Sequence, residues 1–381
     1  MRFIIAFIVA VLAFACVSAS VPNYDSYTYA QFLSEYRPMT TMSVGIENQR
    51  REIFEKNLET IKAHNAGKHS WYMRVNKYAD MTEGEFLRHY VRAAHTQRRS
   101  KLPFIKRNLG ASSRSFTSTS VNDDSSTITP RKADWSSTIH TILNQGSCGS
   151  CWAFAAAHTY MGRANVIAPG SNIMPSTQQM TSCTPNPRKC GGGGGCTGAT
   201  QDLAFEYIAG VGLTTESAYP YTSGSTSETG DCEFSSKMPV VIKNKGYRAL
   251  PANDKKALLE EIAKGGPVSV SVAASKWFLY GGGIFDGCTK ADDAESNHGV
   301  VATAYDLDKR YITIVNSWGE SWGENGFMRL RLYEQEPVLN NTSPRSGSRC
   351  ADEPDTPYPV AGECGIFSES SVPTDLEVVS L

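Results

Sequence analysis

The sequence predicts an α+β protein with two lobes, preceded by a helical segment of different character. Three observations lead there. Helix-like patterns gather in the first part of the chain, and strand-like runs appear from residue 266 onward. No cysteine occurs between residues 17 and 147, whereas the region beyond holds all those that remain. A stretch dominated by Ser and Thr, residues 111–129, separates the two. A chain of 381 residues is longer than one compact domain usually needs, and 40% hydrophobic residues argues against wholesale disorder. The formal net charge of −1 gives no electrostatic reason to expect a nucleic-acid or polybasic membrane partner.

The elements follow in order. MRFIIAFIVAVLAFACVSAS has one early cation, Arg2, then an apolar run from Phe3 to Val17 and a small-residue site at Val17-Ser18-Ala19. That reads as a secretory signal over residues 1–19 and is short for a membrane span, which needs roughly 20 apolar residues. Secretion implies an oxidising compartment, in which cysteines pair. Ten cysteines become nine once Cys16 leaves, so one thiol is left over, and such a thiol is a candidate for reactivity. Residues 24–95 are charged and rich in helix formers. Ile46, Ile53, Phe54, Leu58 and Ile61 recur at helical spacing, with Asn65 and Gly67 where a C-cap is expected. Residues 96–127 read as a linker. After Pro130, residues 152–166 are Ala-rich and apolar, as in a buried helix, and residues 200–209 predict another. PVSVSVAA, HGVVATAY, RYITIVNSW and GFMRLRLY then alternate or carry β-branched residues between Gly-rich turns, as strands do.

The chemistry centres on NQGSCGSCWAF, residues 144–154. Two cysteines three apart are either a redox or metal pair, or residues with separate jobs. A thiol attacks only as thiolate, and a helix N-terminus favours that form. Cys151 stands where the glycines and serines end and the Trp152 helix begins; Cys148 lies in the glycine-flanked turn before it. Gln145 offers an amide to a developing oxyanion, with the Cys151 N–H as second donor. A base must accompany the thiol. His158, two helical turns on, is roughly 10 Å away and reads as structural. His140 has no evident orienting partner. His298 opens one strand-like run and Asn316 closes the next, so adjacent strands bring an amide against the imidazole.

These residues resemble the papain-family (cathepsin L-like) cysteine proteases. The family's local signature C-G-[SA]-C-[WY] appears as Cys148-Gly149-Ser150-Cys151-Trp152, with His298 and Asn316 far downstream. The spaced helix of the family's inhibitory propeptide appears as Glu47, Arg51, Phe54, Asn57, Ile61 and Asn65. Its following motif appears as Arg74, Asn76, Tyr78 and Asp80, with Arg74 in place of glycine and Tyr78 in place of phenylalanine. The resemblance implies a papain-like two-lobed fold, with a helical left lobe, an antiparallel β-barrel right lobe and an N-terminal helical propeptide. It implies a propeptide over 20–127, cleaved near residues 120 to 130, and a catalytic domain over 128–381. It implies Cys151 as nucleophile, His298 as its imidazolium partner, Asn316 as orienter of His298, Trp318 as a shield over that bond, and Gln145 in the oxyanion hole. Ser176, Gln178 and Gln179 lead into Cys183 as in the family. The implied bridges are Cys148–Cys196, Cys183–Cys232 and Cys288–Cys364; counting alone then joins Cys190 to Cys350.

By the same resemblance, Gly198 and Ala199 pair with the peptide backbone, Ala199 standing where the family has glycine. Thr200, Ser271 and Gly299 wall the pocket for the residue two before the cut, and Glu369 at its floor invites a substrate arginine. No cofactor or metal is expected: Cys183, Cys190 and Cys196 have no accompanying histidine. Expected partners are peptide and protein substrates, the chain's own propeptide and cystatin-type inhibitors, with the enzyme a monomer and without a membrane span. The implied destination is the secretory pathway, to a lysosome-like or digestive vacuole or the outside. Two rival readings are a thiol–disulfide oxidoreductase using Cys148 and Cys151, and a silent peptide-binding homologue. The first finds no βαβ context before the motif, and the second no replaced nucleophile or base. Asn340 and Asn341 both fit the glycan acceptor pattern, and the Pro/Ser-rich segment 336–362 is longer than the resemblance leads one to expect.

Overall fold

The computed structural model describes residues 21–38, 42–91, 129–290 and 294–379. The signal sequence, the linker and the cleavage region up to residue 128 lie outside the described residues.

The N-terminal part folds as its sequence pattern asks. Thr28 and Gln31 cap α1 (Tyr29–Tyr36) reciprocally. The 22-residue α2 (Val44–Asn65) buries Phe54, Leu58 and Ile61, one turn apart, against Tyr29 and Phe32. Ile46 is 51% exposed, because the first turns of α2 run past the small core they were expected to cover. Asn65 is the last helical residue rather than a cap; Ala66 follows in the right-handed region. The Asn65 amide instead clasps β1 (Trp71–Met73), donating to the Met73 carbonyl at 2.9 Å and accepting its N–H at 2.8 Å. Thr82 and Glu85 cap the short α3 (Glu83–Phe86), which continues as a π-helical turn through Leu87–Val91.

The rest of the chain divides by period. After β2 (Lys132–Asp134) come α4 (Cys151–Ile167), α5 (Thr177–Cys183), α6 (Gln201–Val211) and α7 (Ser223–Thr226). Residues Cys151 to Ala164 of α4 are all buried. Its alanines let other elements pack closely on every side, so α4 is the spine of the helical lobe, against Met180, Phe205 and Ile208. Then follow β3 (Ile242–Lys243), β4 (Gly246–Ala249), α8 (Lys255–Gly265), β5 (Val268–Val272), β6 (Tyr280–Phe285), β7 (His298–Asp306), β8 (Tyr311–Val315), β9 (Phe327–Arg331), β10 (Val338–Asn341), β11 (Tyr358–Ala361), β12 (Ser370–Thr374) and β13 (Glu377–Val378).

The main sheet runs β1-β6-β9-β8-β7-β5-β12-β4, with β2 also on β7. Its pairs are antiparallel except β6 with β9, and β1 and β4 are its ends, so it is a strongly mixed-order sheet rather than a ring closed by hydrogen bonds. A large second core, with Trp277, Tyr280, Trp318 and Trp322, packs on it. Ala155 and Met161 of α4 meet Val301 and Val315 of the sheet, which locks the lobes together.

The edge strand β1 belongs to the N-terminal part. It pairs Trp71 with Gly283 and Tyr72 with Gly282 of β6. A Cβ on Gly283 would stand 2.5 Å from the Ser70 carbonyl oxygen, so the close approach requires glycine. The hairpin β10–β11 stands apart from the main sheet. Within it Asn340 is exposed, while Asn341 is buried with its amide on the Tyr358 hydroxyl.

Candidate active site

Among the described residues the cysteines form four bridges, Cys148–Cys196, Cys183–Cys232, Cys190–Cys350 and Cys288–Cys364, and leave Cys151 free. Cys148 is therefore tied to another loop, and the two cysteines of the motif do not pair with each other. The first bridge pins the turn before α4, and Gly149 N–H adds a bond to the Cys196 carbonyl at 3.1 Å.

Cys151 is the first residue of α4, at the positive end of a 17-residue helix. Burial pushes its thiol up, and the N–H groups of Gly299, Trp152 and Cys151 itself work in the opposite direction. The Gly299 N–H belongs to β7, which starts at His298. Cys151 and His298 thus border one cleft because α4 sets its N-terminus against the start of β7.

His298 Nε2 lies 2.8 Å from Asn316 Oδ1. That oxygen also accepts the Ser317 N–H at 2.7 Å, which fixes the amide with its oxygen toward the ring. Nε2 is then the protonated nitrogen, and Nδ1 is left with no hydrogen-bond partner. Trp318 stacks on the imidazole at 4.8 Å between centroids, 26° from parallel, and Trp277 meets it edge-on at 6.4 Å. Burial lowers the His298 pKa to about 4, against the opposing effect of the Asn316 bond.

Gln145 is wholly buried. Its Oε1 accepts the Ser317 hydroxyl at 2.6 Å, which aims Nε2 at the Cys148 carbonyl, 3.0 Å away, and at the Tyr90 carbonyl, 3.1 Å away. Tyr90 belongs to the π-helical turn after α3. Its neighbours seal the place: Phe86 packs edge-on against Trp318 at 4.9 Å, and Tyr78 does so at 6.2 Å.

Cys151, His298 and the expected wall residues Gly198, Ala199, Thr200, Ser271 and Gly299 all line one cleft, which Val91 of the N-terminal part enters. Gly198 has φ +93°, and a Cβ there would stand 2.4 Å from the Gly191 carbonyl oxygen. Of the expected substrate-binding residues, two do not line the cleft. Trp318 is buried beneath His298, between the imidazole and the aromatic residues of the N-terminal part. Glu369 is not among the lining residues, and its carboxylate accepts hydrogen bonds from Ser348 Oγ, which is, and, at 3.0 Å, from the Tyr358 hydroxyl. The other two histidines weighed as a base, His158 and His140, do not line the cleft. His158 Nε2 accepts the Leu143 N–H at 3.4 Å in the interior, and His140 meets Asn165 at the surface. Sequence reasoning missed Ser317 as the holder of Gln145, and it missed Arg345, Gly347 and Ser348, which also line the cleft.

Residues 129–343 match the model of the papain family cysteine proteases. The chain belongs to the papain family. Residues 44–86 match the cathepsin propeptide inhibitor domain (I29). Among curated relatives, the cysteine protease XCP2 of Arabidopsis thaliana is 33% identical over 295 residues, 76% of each chain. Among solved structures, digestive procathepsin L 3 of the Tenebrio molitor larval midgut superposes with TM-score 0.66 at 26% identity, covering 91% of this chain and 97% of that one. The stem bromelain precursor gives 0.65 at 25% identity, covering 91% and 97%. This papain-family chain is a cysteine endopeptidase folded as its zymogen. Its N-terminal helical part carries the propeptide inhibitor domain, and Val91, just beyond that match, lines the cleft. No helix among the described residues is long and apolar enough to cross a membrane.

Proposed function

We propose that Cys151, His298, Asn316 and Gln145 carry peptide-bond hydrolysis through a thioester. The thiolate of Cys151 attacks the scissile carbonyl and forms the C–S bond. The oxyanion takes hydrogen bonds from the Cys151 N–H and from Gln145 Nε2. His298 gives its Nδ1 proton to the departing amine, then takes one from the water that attacks the thioester and releases Cys151. Asn316 is a positioning residue, holding the imidazole in one tautomer beneath Trp318. The observation that carries this reading is the 2.8 Å contact of His298 with Asn316 in the cleft that also holds the one free thiol of the described residues.

The proregion reading extends over residues 20–127, with the catalytic domain from 128 onward; the two family matches, 44–86 and 129–343, support a boundary between them. Substrates are unfolded or extended peptides and proteins. Cystatin-type proteins are further partners, and the secretory pathway, ending in a vacuole or outside the cell, is the destination. The test is to quench the processed enzyme with acid during turnover of a peptide ester. Mass spectrometry is expected to find the acyl group on the peptide containing Cys151. Turnover with the acyl group elsewhere, or with none trapped during a burst, contradicts the mechanism.

A further inference from the structure

Segment 336–362, beyond the end of the family match at residue 343 apart from its first residues, borders the cleft. It is strapped down on one side by Cys190–Cys350, by Gly191 N–H to the Arg349 carbonyl at 3.2 Å, and by Arg188 on Asp352 at 2.9 Å. On the other side Gly347 sits so close to the chain leading into His298 that a Cβ there would stand 2.3 Å from the Ser296 carbonyl oxygen. The segment is therefore a fixed wall of the cleft, bridging the Gly191–Gly195 turn and the residues before His298.

That wall changes the charge of the cleft. Among the described residues lining it there is no carboxylate, and Arg345 is the only Lys or Arg. Arg345 Nε and Nη2 donate to the Glu353 carbonyl at 3.1 and 2.8 Å, and no carboxylate pairs with its guanidinium among the described ion pairs. A guanidinium held along that edge keeps both Nη1 hydrogens and one on Nη2, the fork that receives a carboxylate end-on. Ser348, which also lines the cleft, gives its hydroxyl hydrogen to Glu369, and the Asp355 carboxylate accepts the Arg345 backbone N–H at 3.2 Å rather than its guanidinium. Arg349, 4.7 Å over the ring of Tyr358, backs the Glu369 carboxylate's second donor.

We propose that Arg345 is a specificity-determining residue that selects an acidic side chain on the acyl side of the scissile bond. The proposal rests on the catalytic reading above and on the resemblance that puts Thr200 and Ser271, which line the same cleft as Arg345, on the acyl side of the bond. The test uses the processed enzyme and fluorogenic peptides carrying Leu, Glu or Gln in turn at each of the three residues before the bond. Glu is expected to exceed Gln in kcat/KM at one of these positions by roughly fivefold, the ratio one exposed ion pair supports. R345Q is expected to bring that ratio to about one, and R345K, which keeps the cation, is expected to leave it above one. A ratio near one in the unaltered enzyme, or a ratio that R345Q leaves unchanged, overturns the proposal. Hydrolysis of none of the peptides, Leu included, overturns the catalytic reading and this one with it.

Discussion

Gln145 Nε2 lies 3.1 Å from the carbonyl oxygen of Tyr90. A backbone carbonyl of the proregion thus takes the donor that the mechanism reserves for the oxyanion. The zymogen is shut twice, by Val91 in the cleft and by occupation of this amide. Gln145→Ala is expected to lower kcat of the processed enzyme by roughly a hundredfold or more, with little change in KM. Steady-state kinetics on one peptide check it; an unchanged kcat contradicts the assignment.

Asn316→Ala removes the acceptor that fixes the His298 ring. Losing one buried hydrogen bond costs about 1–3 kcal/mol, so the rate is expected to fall roughly tenfold to a hundredfold. A purely structural role predicts a lower Tm with an unaltered pH profile of kcat. The positioning role predicts a displaced acid limb, because the imidazolium loses its partner, and Asn316→Gln is expected to recover part of it.

Burial in the closed form favours the neutral thiol of Cys151 and the neutral imidazole of His298. It pushes the Cys151 thiol up and His298 down to about 4, against an ordinary value near 6.5. A closed form that binds fewer protons than the open one loses stability as pH falls. Where both forms of His298 are neutral the contribution is fully present; it is lost progressively as pH falls toward about 4. Ring NMR of the Cys151→Ser zymogen is expected to show His298 neutral until about pH 4, and a midpoint at the ordinary value contradicts the account.

Asn65 ties the end of α2 to both backbone groups of Met73. Through β1 it holds the proregion on β6 of the catalytic part. Asn65→Ala is expected to weaken the closed zymogen by about 1–3 kcal/mol, so that processing starts at higher pH than in the unaltered chain. Timed gel analysis across a pH series checks this. An unchanged processing pH contradicts the coupling.

Much of the site was legible because its chemistry demands fixed residue types at marked places. Cys151 follows a glycine-rich turn at a helix start, and His298 and Asn316 stand at ends of strands whose alternation is plain. Backbone contacts carry no such mark. Nothing in the type of residue 90 says that its carbonyl will sit on Gln145, and Ser317 differs from any other serine only by where β8 ends. Glu369 was misplaced for a similar reason. Its direction is decided by Ser348 and Tyr358, which reach it from a hairpin held by a bridge of 160 residues' separation. The parallel pairing of β6 with β9 also lies beyond local pattern, since alternation fixes a strand's face but not its neighbour.

The proposed mechanism makes Cys151 the one nucleophile and the proregion its mask. The direct measurement is to treat the zymogen and the processed enzyme with an epoxide or iodoacetamide probe, then map the modified residue and follow peptide hydrolysis. The account predicts label on Cys151 alone, rapid only after processing, with activity lost in proportion. Label on Cys148 without reduction, or equal labelling of Cys151 in the zymogen, would contradict it.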